Sequence, residues 1–340
     1  MKVLVILKKS RSELMSTVPM LRSIKSSYGN AQIHFLSHAS LQSIIDEVPY
    51  IDKSFFFDED LRAIVFKLLA EKYDLLLDLQ RNHKSWYVKS ILKQAYNTSL
   101  KVRSISKEKS IFRFAKRNNG VHQVDRFFKL VDFLKLKNDG LGLEHSIPEA
   151  DQIKPEDLPM SHSAGYISFL IGGYETRKMP ASKWKELAEA VEYPIILQGD
   201  LKDHQTAELI RSIDPIRIYN SCGKFNFNEG ADILRFAKVV VSGDNDYLPL
   251  IGVYKRKTIS IWGSTSAEQS GRFPYYGYNN LTGNASPDHI AIQVKGLSCR
   301  PCNAALDSDC PKGHFKCMKQ IDVSKIADQI KTFLSAKEKA

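Results

Sequence analysis

Residues Ala231 to Tyr276 read ADILRFAKVVVSGDNDYLPLIGVYKRKTISIWGSTSAEQSGRFPYY. A helical segment runs into the apolar Val239-Val240-Val241, then a polar loop, a second helical segment and a second apolar run, Ile259 to Trp262. Short continuous apolar runs alternating with helices mark a parallel sheet buried on both faces. In open sheets of that kind ligands bind beyond the carboxyl ends of the strands. Two loops occupy those ends here. Ser242-Gly243-Asp244-Asn245-Asp246 carries two carboxylates, and Gly263-Ser264-Thr265-Ser266 is small and hydroxyl-rich, suited to close approach of a phosphate or sugar.

The same rhythm extends towards the N-terminus. Strands are predicted at Gly165 to Ile171, Pro194 to Leu197 and Arg217 to Asn220. Helices are predicted at Lys183 to Val191, with Ser182 as N-cap, and at Asp203 to Ile213. An earlier series gives strands at Lys2 to Leu7, Ala31 to Leu36, Lys53 to Phe57 and Tyr73 to Leu79. Its helices start near Glu13, with Pro19 in the second turn, and cover Leu41 to Val48, Leu61 to Lys72 and His122 to Leu134. Between the two series, the Pro-punctuated Ile147 to Ser163 lacks periodicity and reads as a linker. The fold class is therefore α/β, and 340 residues suit two domains at ~100–200 residues each. The expected division is a Rossmann-like domain at 1–150, a linker at 151–163 and a second Rossmann-like domain at 164–321. The two would face each other across a cleft. A last helix within 322–340 is expected to pack back on the first domain.

Lys and Arg number 49 against 38 Asp and Glu, a formal charge of +11. That excess favours acidic partners such as nucleotides, phosphorylated glycans or an anionic membrane surface over the other reading, a basic solvated surface. No apolar run reaches the ~20 residues of a membrane helix, and the five-residue VLVIL near the start lacks the features of a signal peptide. A cytoplasmic protein is expected, in peripheral contact with the inner face of the cytoplasmic membrane through its basic side. Aromatic residues are not interleaved with basic ones as a stacking platform, so nucleic acid is not an expected partner.

Dinucleotide, P-loop, nucleophile-elbow and zincin fingerprints are all missing from the sequence. Three other features can carry chemistry. Glu13, at the start of the first helix, suits a general base, or is a helix-start carboxylate favoured by the macrodipole. Gly172-Gly173-Tyr174-Glu175-Thr176-Arg177-Lys178 places two cations after a glycine pair and before a helix, where they would neutralise a diphosphate or simply be exposed loop charge. Asp244 would hold a sugar hydroxyl or cap the following helix. The basic stretch 101–120, containing Lys101, Arg103, Lys107, Lys109, Arg113, Lys116 and Arg117, reads as a clamp for an anionic acceptor or as a solvated helix face.

These pieces, in this order, resemble glycosyltransferase family 9, the bacterial ADP-heptose:lipopolysaccharide heptosyltransferases. Glu13 to Arg22 (ELMSTVPMLR) resembles the family's opening "GD…TxPxLRALK", and Tyr73 to Gln80 (YDLLLDLQ) its "YDLVIDLH". Arg177 to Pro180 resembles its "K-x-x-P" loop and Cys222-Gly223-Lys224 its "GK" turn. Ser242 to Leu250 followed by Ile259 to Ser264 resembles "xxDTGLMHLAAA…VVALFGPT". The resemblance implies a GT-B fold and a metal-independent inverting glycosyltransferase that takes sugar from a nucleotide-sugar donor to an anionic glycolipid acceptor, without a catalytic cofactor. It places Glu13 and Arg177 as catalytic residues. Thr176, Lys178, Asp244, Asn245, Asp246, Gly263, Ser264 and Thr265 fall on the donor side, and Ser12, Gln80, Arg81, Asn82 and Arg103 on the acceptor side. The chain departs from the family pattern at Ser12, where the family has Gly, and at Glu13, where it has Asp. It departs again at Asn245-Asp246 and at Pro249, where the family has Thr/Ser-Gly and His. A donor other than ADP-heptose, or a weakened paralogue that binds nucleotide or glycan without turnover, is the alternative these departures raise.

Cys299, Cys302, Cys310 and Cys317, with His314 among them, resemble the family's C-terminal cysteine cluster. By residue type and spacing they suit a structural zinc, with a disulfide pair or free thiols as the other readings. Cys222 stands apart and is expected to be buried packing.

Overall fold

The structure is a computed structural model that describes residues 1–7, 10–57, 60–97, 99–105, 121–173, 177–267, 271–276, 288–300, 302 and 310–336. The chain divides into two compact units, Met1–Ser146 and Ile147–Ala340.

In the first unit β1 (Lys2–Ile6), β2 (Gln32–Ser37), β3 (Lys53–Phe56), β4 (Leu75–Asp78) and β5 (Lys101–Ser104) form a parallel sheet in the order β3-β2-β1-β4-β5. The helices are α1 (Arg11–Ser27), α2 (Gln42–Ile45), α3 (Leu61–Glu71), α4 (His83–Tyr96) and α5 (Gln123–Leu130). One side of the sheet packs on α3 and α4 through Leu4, Ile6, Leu76, Ile64, Leu68, Val88 and Leu92. Two findings differ from the sequence reading. Pro19 lies in the middle of α1, not near its start. An interior proline forfeits a backbone hydrogen bond at about 3 kcal/mol, and burial of Leu14, Met15, Val18, Leu21 and Ile24 opposes that cost. The second is α4, which the sequence reading leaves unassigned. Its polar first turn hides a capping box, in which Asn82 and Ser85 exchange side chain to backbone hydrogen bonds, and only Ser85, Val88 and Leu92 are buried along it.

The second unit has β6 (Ile167–Leu170), β7 (Ile195–Gln198), β8 (Ile218–Asn220), β9 (Val239–Gly243), β10 (Lys257–Trp262) and β11 (His289–Gln293). They form a parallel sheet in the order β11-β10-β9-β6-β7-β8. Its helices are α6 (Ala181–Ala190), α7 (His204–Arg211), α8 (Phe227–Phe236), α9 (Leu248–Val253), α10 (Lys316–Lys319) and α11 (Val323–Ser335). Ser182 does not cap α6; the N-cap is Pro180, with no side-chain hydrogen bond. The expected linker is folded into this unit as three 3-10 turns, pinned where Asp232 accepts from Ile153 N at 2.8 Å and Asp151 from Asn226 and Asn228. The apolar face of α11, Val323, Ile326, Ile330 and Phe333, is buried in this same unit against α6, β9 and β10, which corrects the expectation that the last helix returns to the first domain. Among the described residues no helix is long and apolar enough to cross a membrane.

Candidate functional site

Strand order locates two sites, one in each unit. In the first unit the chain leaves β1 to build β2 and β3 on one side, then returns to β4 and β5 on the other, so β1 and β4 flank the switch point. Asp78 ends β4, opposite Ile6 of β1, and is fully buried. Its carboxylate accepts from Gln80 N (3.1 Å), Arg81 N (2.8 Å) and Ser85 Oγ (3.0 Å) and pairs with Lys89 Nζ at 2.5 Å. One buried charge therefore fixes the turn after the strand, in which Arg81 takes a left-handed conformation with φ of 52°. The turn brings Gln80 Nε2 to 3.0 Å from Glu13 Oε2. Glu13 sits in the first turn of α1, whose N-cap Ser10 accepts from Glu13 N at 3.2 Å. A half-buried carboxylate held in one orientation, at the sheet edge where ligands bind, suits a general base.

The other predicted acceptor-side residues divide. Ser12 is fully buried, its Oγ 3.1 Å from Ser10 Oγ, so it serves the helix start. The side chain of Asn82 caps α4. Arg81 is exposed beside Gln80, while Arg103, on β5, lies over the Phe133 ring at 4.8 Å. Lys101 and Arg103 are exposed and belong to a strand, not a helix. Lys107, Lys109, Arg113, Lys116 and Arg117 lie outside the described residues.

In the second unit β6 and β9 flank the switch point, with Leu170 opposite Ser242. Their loops touch. Gly173 has φ of +135°, and a Cβ there would lie 3.4 Å from Asn245 Cβ; at Gly243 it would meet Arg177 O at 3.1 Å. Only small residues allow this approach. Asp244 is 1% exposed, and its Oδ2 meets Arg177 Nη1 at 2.7 Å, Arg272 Nη2 at 3.0 Å and Thr265 Oγ1 at 3.0 Å. Its other oxygen, Oδ1, is buried with no hydrogen-bond donor among the described residues. Two guanidiniums converge on one carboxylate, and Oδ1 keeps an acceptor position that no described residue fills.

Lys178 turns away from its neighbour to pair with Asp203 at 2.7 Å. Asn245 turns inward, donating to Ser242 Oγ and accepting from Tyr247 N at 3.0 Å. Asp246 is half-buried, and Thr176 lies outside the described residues. The capping alternative for Asp244 is not what forms: α9 starts after Tyr247 with no side-chain cap, and Pro249 falls in its first turn, where no N–H is required.

The sequence profile of glycosyltransferase family 9 (heptosyltransferase) matches residues 61–295. The chain belongs to this family. A lipooligosaccharide heptosyltransferase 2 of Campylobacter jejuni is 29% identical over 119 residues, 35% of this chain and 33% of that protein, so the match spans about a third of that relative. Two solved structures are similar over nearly the whole chain. The ADP-heptose LPS heptosyltransferase II of E. coli has a TM-score of 0.67 at 16% identity, covering 98% of each chain. A family 9 glycosyltransferase of Veillonella parvula has a TM-score of 0.72 at 14% identity, covering 98% of this chain and 97% of that one. These likenesses show the fold, the α/β GT-B class with two parallel sheets.

Within this family 9 chain, the loop after β10 is built against the cysteine tail. Met318 fills the space beside Gly263, its Cγ 2.8 Å from where a Cβ would stand, and Ser264 O accepts from Cys302 N at 3.0 Å. Burial pushes the Cys317 thiol up to about 11; Arg300 opposes the shift, and Cys302, Cys310 and Cys299 add to it, so all four tail cysteines share one neighbourhood. Burial also acts to raise the Cys310 thiol, but the backbone N–H groups of Phe315, Lys312, His314 and Gly313 outweigh it and hold it below its usual value. Cys299 Sγ lies 3.8 Å from His314 Nε2. Among the described residues, however, no three His, Cys, Asp or Glu side chains are arranged to hold a metal. Cys222 is buried, and burial raises its thiol to about 12, as packing requires. One site residue escapes a reading of the sequence: Arg272 reaches Asp244 from a segment whose Gly271-Arg272-Phe273-Pro274 gives no periodic signal. Gln80 is expected on the acceptor side, but its contact with Glu13 across 67 residues is not legible.

Proposed function

We propose that this chain is a metal-independent inverting glycosyltransferase that moves a sugar, heptose or similar, from a nucleotide-sugar donor to a lipopolysaccharide or other surface-glycan acceptor. The observation that carries the reading is Asp244, buried between Arg177 and Arg272 with Oδ1 left without a donor among the described residues. A sugar or ribose hydroxyl suits that oxygen, and the pair of guanidiniums suits a diphosphate. The name of the E. coli structure makes ADP-heptose the first donor to try.

In the reaction, the Glu13 carboxylate takes the proton of an acceptor hydroxyl as that oxygen forms its bond to the anomeric carbon. The bond from that carbon to the diphosphate breaks on the opposite face, and the electron pair leaves with the diphosphate. Arg177 and Arg272 stabilise the charge that appears there. Gln80 holds the base in register. Arginine charge fills the role a divalent cation would otherwise take, which supports a metal-independent step.

Titration of the protein with ADP tests the donor reading. ADP is expected to bind, and Arg177→Ala to weaken it at least about tenfold through loss of a charged contact. Absence of binding by ADP, UDP, GDP and CMP would contradict the reading. The second reading, a paralogue that binds without turnover, draws on the three donors already on Asp244 Oδ2 and on Asp246, a second negative charge beside the proposed diphosphate. Binding of ADP with no hydrolysis or transfer from any nucleotide-sugar would favour it.

For the tail, a structural zinc on Cys299, Cys302, Cys310 and Cys317 fits their shared neighbourhood and the close Cys299–His314 pair. Metal analysis of protein purified without chelator decides it, and less than stoichiometric metal would refute the proposal. The +11 charge supports peripheral contact of a cytoplasmic protein with the inner membrane face. Cosedimentation with anionic vesicles that did not weaken with added salt would refute the electrostatic basis of that contact.

A further inference from the structure

Arg300 lies in the cysteine tail, outside every loop that the sequence marks for chemistry. Its guanidinium faces five oxygens: Nε donates to Gly263 O at 2.5 Å, Nη1 to Val294 O at 2.6 Å, and the two hydrogens of Nη2 are shared among Trp262 O at 3.1 Å, Thr265 O at 2.7 Å and Gln293 Oε1 at 3.1 Å. Cys302 N, two residues on, donates to Ser264 O. The four consecutive carbonyls of residues 262–265 therefore all accept from the tail. Because a trans peptide sets its N–H opposite its C=O, this turns the N–H groups of Gly263, Ser264, Thr265 and Ser266 away from Arg300. The same loop carries the Thr265 hydroxyl that donates to Asp244 Oδ2.

We infer that Arg300 is a positioning residue for the donor site, fixing the loop after β10 so that its N–H groups and the Thr265 hydroxyl stand ready beside Asp244. The inference rests on the donor reading above. Only a guanidinium offers five donors in a planar fork, so lysine at this place reaches one or two of the carbonyls at a time. The loop has no regular ladder of its own beyond Trp262, and without the fork its peptide planes are free to turn. Arg217 provides an internal comparison. It too donates to a backbone carbonyl, that of Val191, and pairs with Asp214 in the same unit, but it touches neither the loop nor Asp244.

The test compares Arg300→Ala, Arg300→Lys and Arg217→Ala in the full chain by ADP titration, by hydrogen exchange of the 263–266 amides, and by steady-state kinetics with ADP-heptose. Arg300→Ala is expected to weaken ADP and raise the donor KM at least about tenfold with kcat changed less than about threefold, the pattern of lost ground-state binding. The 263–266 amides should exchange faster while those of β6 and β9 keep their protection. Arg300→Lys should recover part of the affinity, and Arg217→Ala should leave it unchanged despite any loss of stability. Should Arg300→Ala fail to fold, Arg300→Lys carries the same comparison. ADP affinity within twofold of wild type in both Arg300 variants would overturn the inference. If wild type binds no nucleotide, the donor reading fails first. Exchange at 263–266 then reads the loop by itself, and unchanged protection in the variants would overturn Arg300's part as well.

Discussion

Asp244 and Glu13 are both carboxylates at sheet edges, and their surroundings give them opposite tasks. Asp244 is buried, and two guanidiniums and a hydroxyl converge on one of its oxygens. It therefore acts as a fixed anion that holds Arg177 and Arg272 in place. Replacing it by Asn keeps the shape and removes the charge that pairs with the buried Arg177. Breaking a buried pair from one side costs about 3–5 kcal/mol, so Asp244→Asn is expected to lower stability by about that much in urea titrations and to impair ADP binding. Stability within about 0.5 kcal/mol of wild type would mean the pair carries little load. Glu13 is half-buried and accepts from Gln80 Nε2, at the sheet edge where ligands bind in folds of this kind. The sequence makes both residues visible as carboxylates following apolar runs. It leaves invisible the contacts that place them: Gln80 meets Glu13 across 67 residues, and Arg272 arrives at Asp244 from a segment with no periodic pattern.

At the level of elements, the strands of the apolar runs were legible because a strand buried on both faces is written as a continuous apolar segment. β5 and β11 are the exceptions. Lys101-Val102-Arg103-Ser104 is basic and largely exposed, and His289-Ile290-Ala291-Ile292-Gln293 is only half-buried over most of its length and opens on a histidine, so neither shows such a run. That histidine nonetheless ties the edge strand to its neighbour, with Nε2 2.7 Å from Ser260 Oγ, which also accepts from Trp262 Nε1 at 2.7 Å. Burial pushes His289 down to about 4, so it folds neutral. Between pH 6.5 and about 4 the unfolded chain takes up a proton there that the folded chain does not. Stability from this residue is thus full above pH 6.5 and is lost as pH falls through that window, by up to about 3 kcal/mol. Denaturant titrations at pH 7 and pH 4.5 should show a smaller loss for His289→Gln than for wild type; an equal loss would place the acid sensitivity elsewhere. α4 and the interior Pro19 were hidden for a different reason. A capping box and tertiary burial, not propensity, decide those two helices.

For the whole molecule, the order of the strands carries the functional argument. Each sheet has one switch point, and at each the loops hold a charged group with defined partners: Glu13 with Gln80 at β1/β4, and Asp244 with two arginines at β6/β9. This much was legible in outline, since alternating segments fix a parallel sheet and a parallel sheet places ligands at its carboxyl edge. The packing of the last helix was not, because it depends on which apolar faces meet. The claim that joins the two sites is that one chain transfers a sugar by general-base catalysis at Glu13. It is tested most directly by sugar transfer from ADP-heptose to a lipooligosaccharide acceptor, wild type against Glu13→Gln, with ADP affinity measured on both. The expected result is transfer by wild type and a loss of at least about 100-fold in kcat for Glu13→Gln, with ADP affinity unchanged. Transfer by Glu13→Gln at near the wild-type rate would contradict the account.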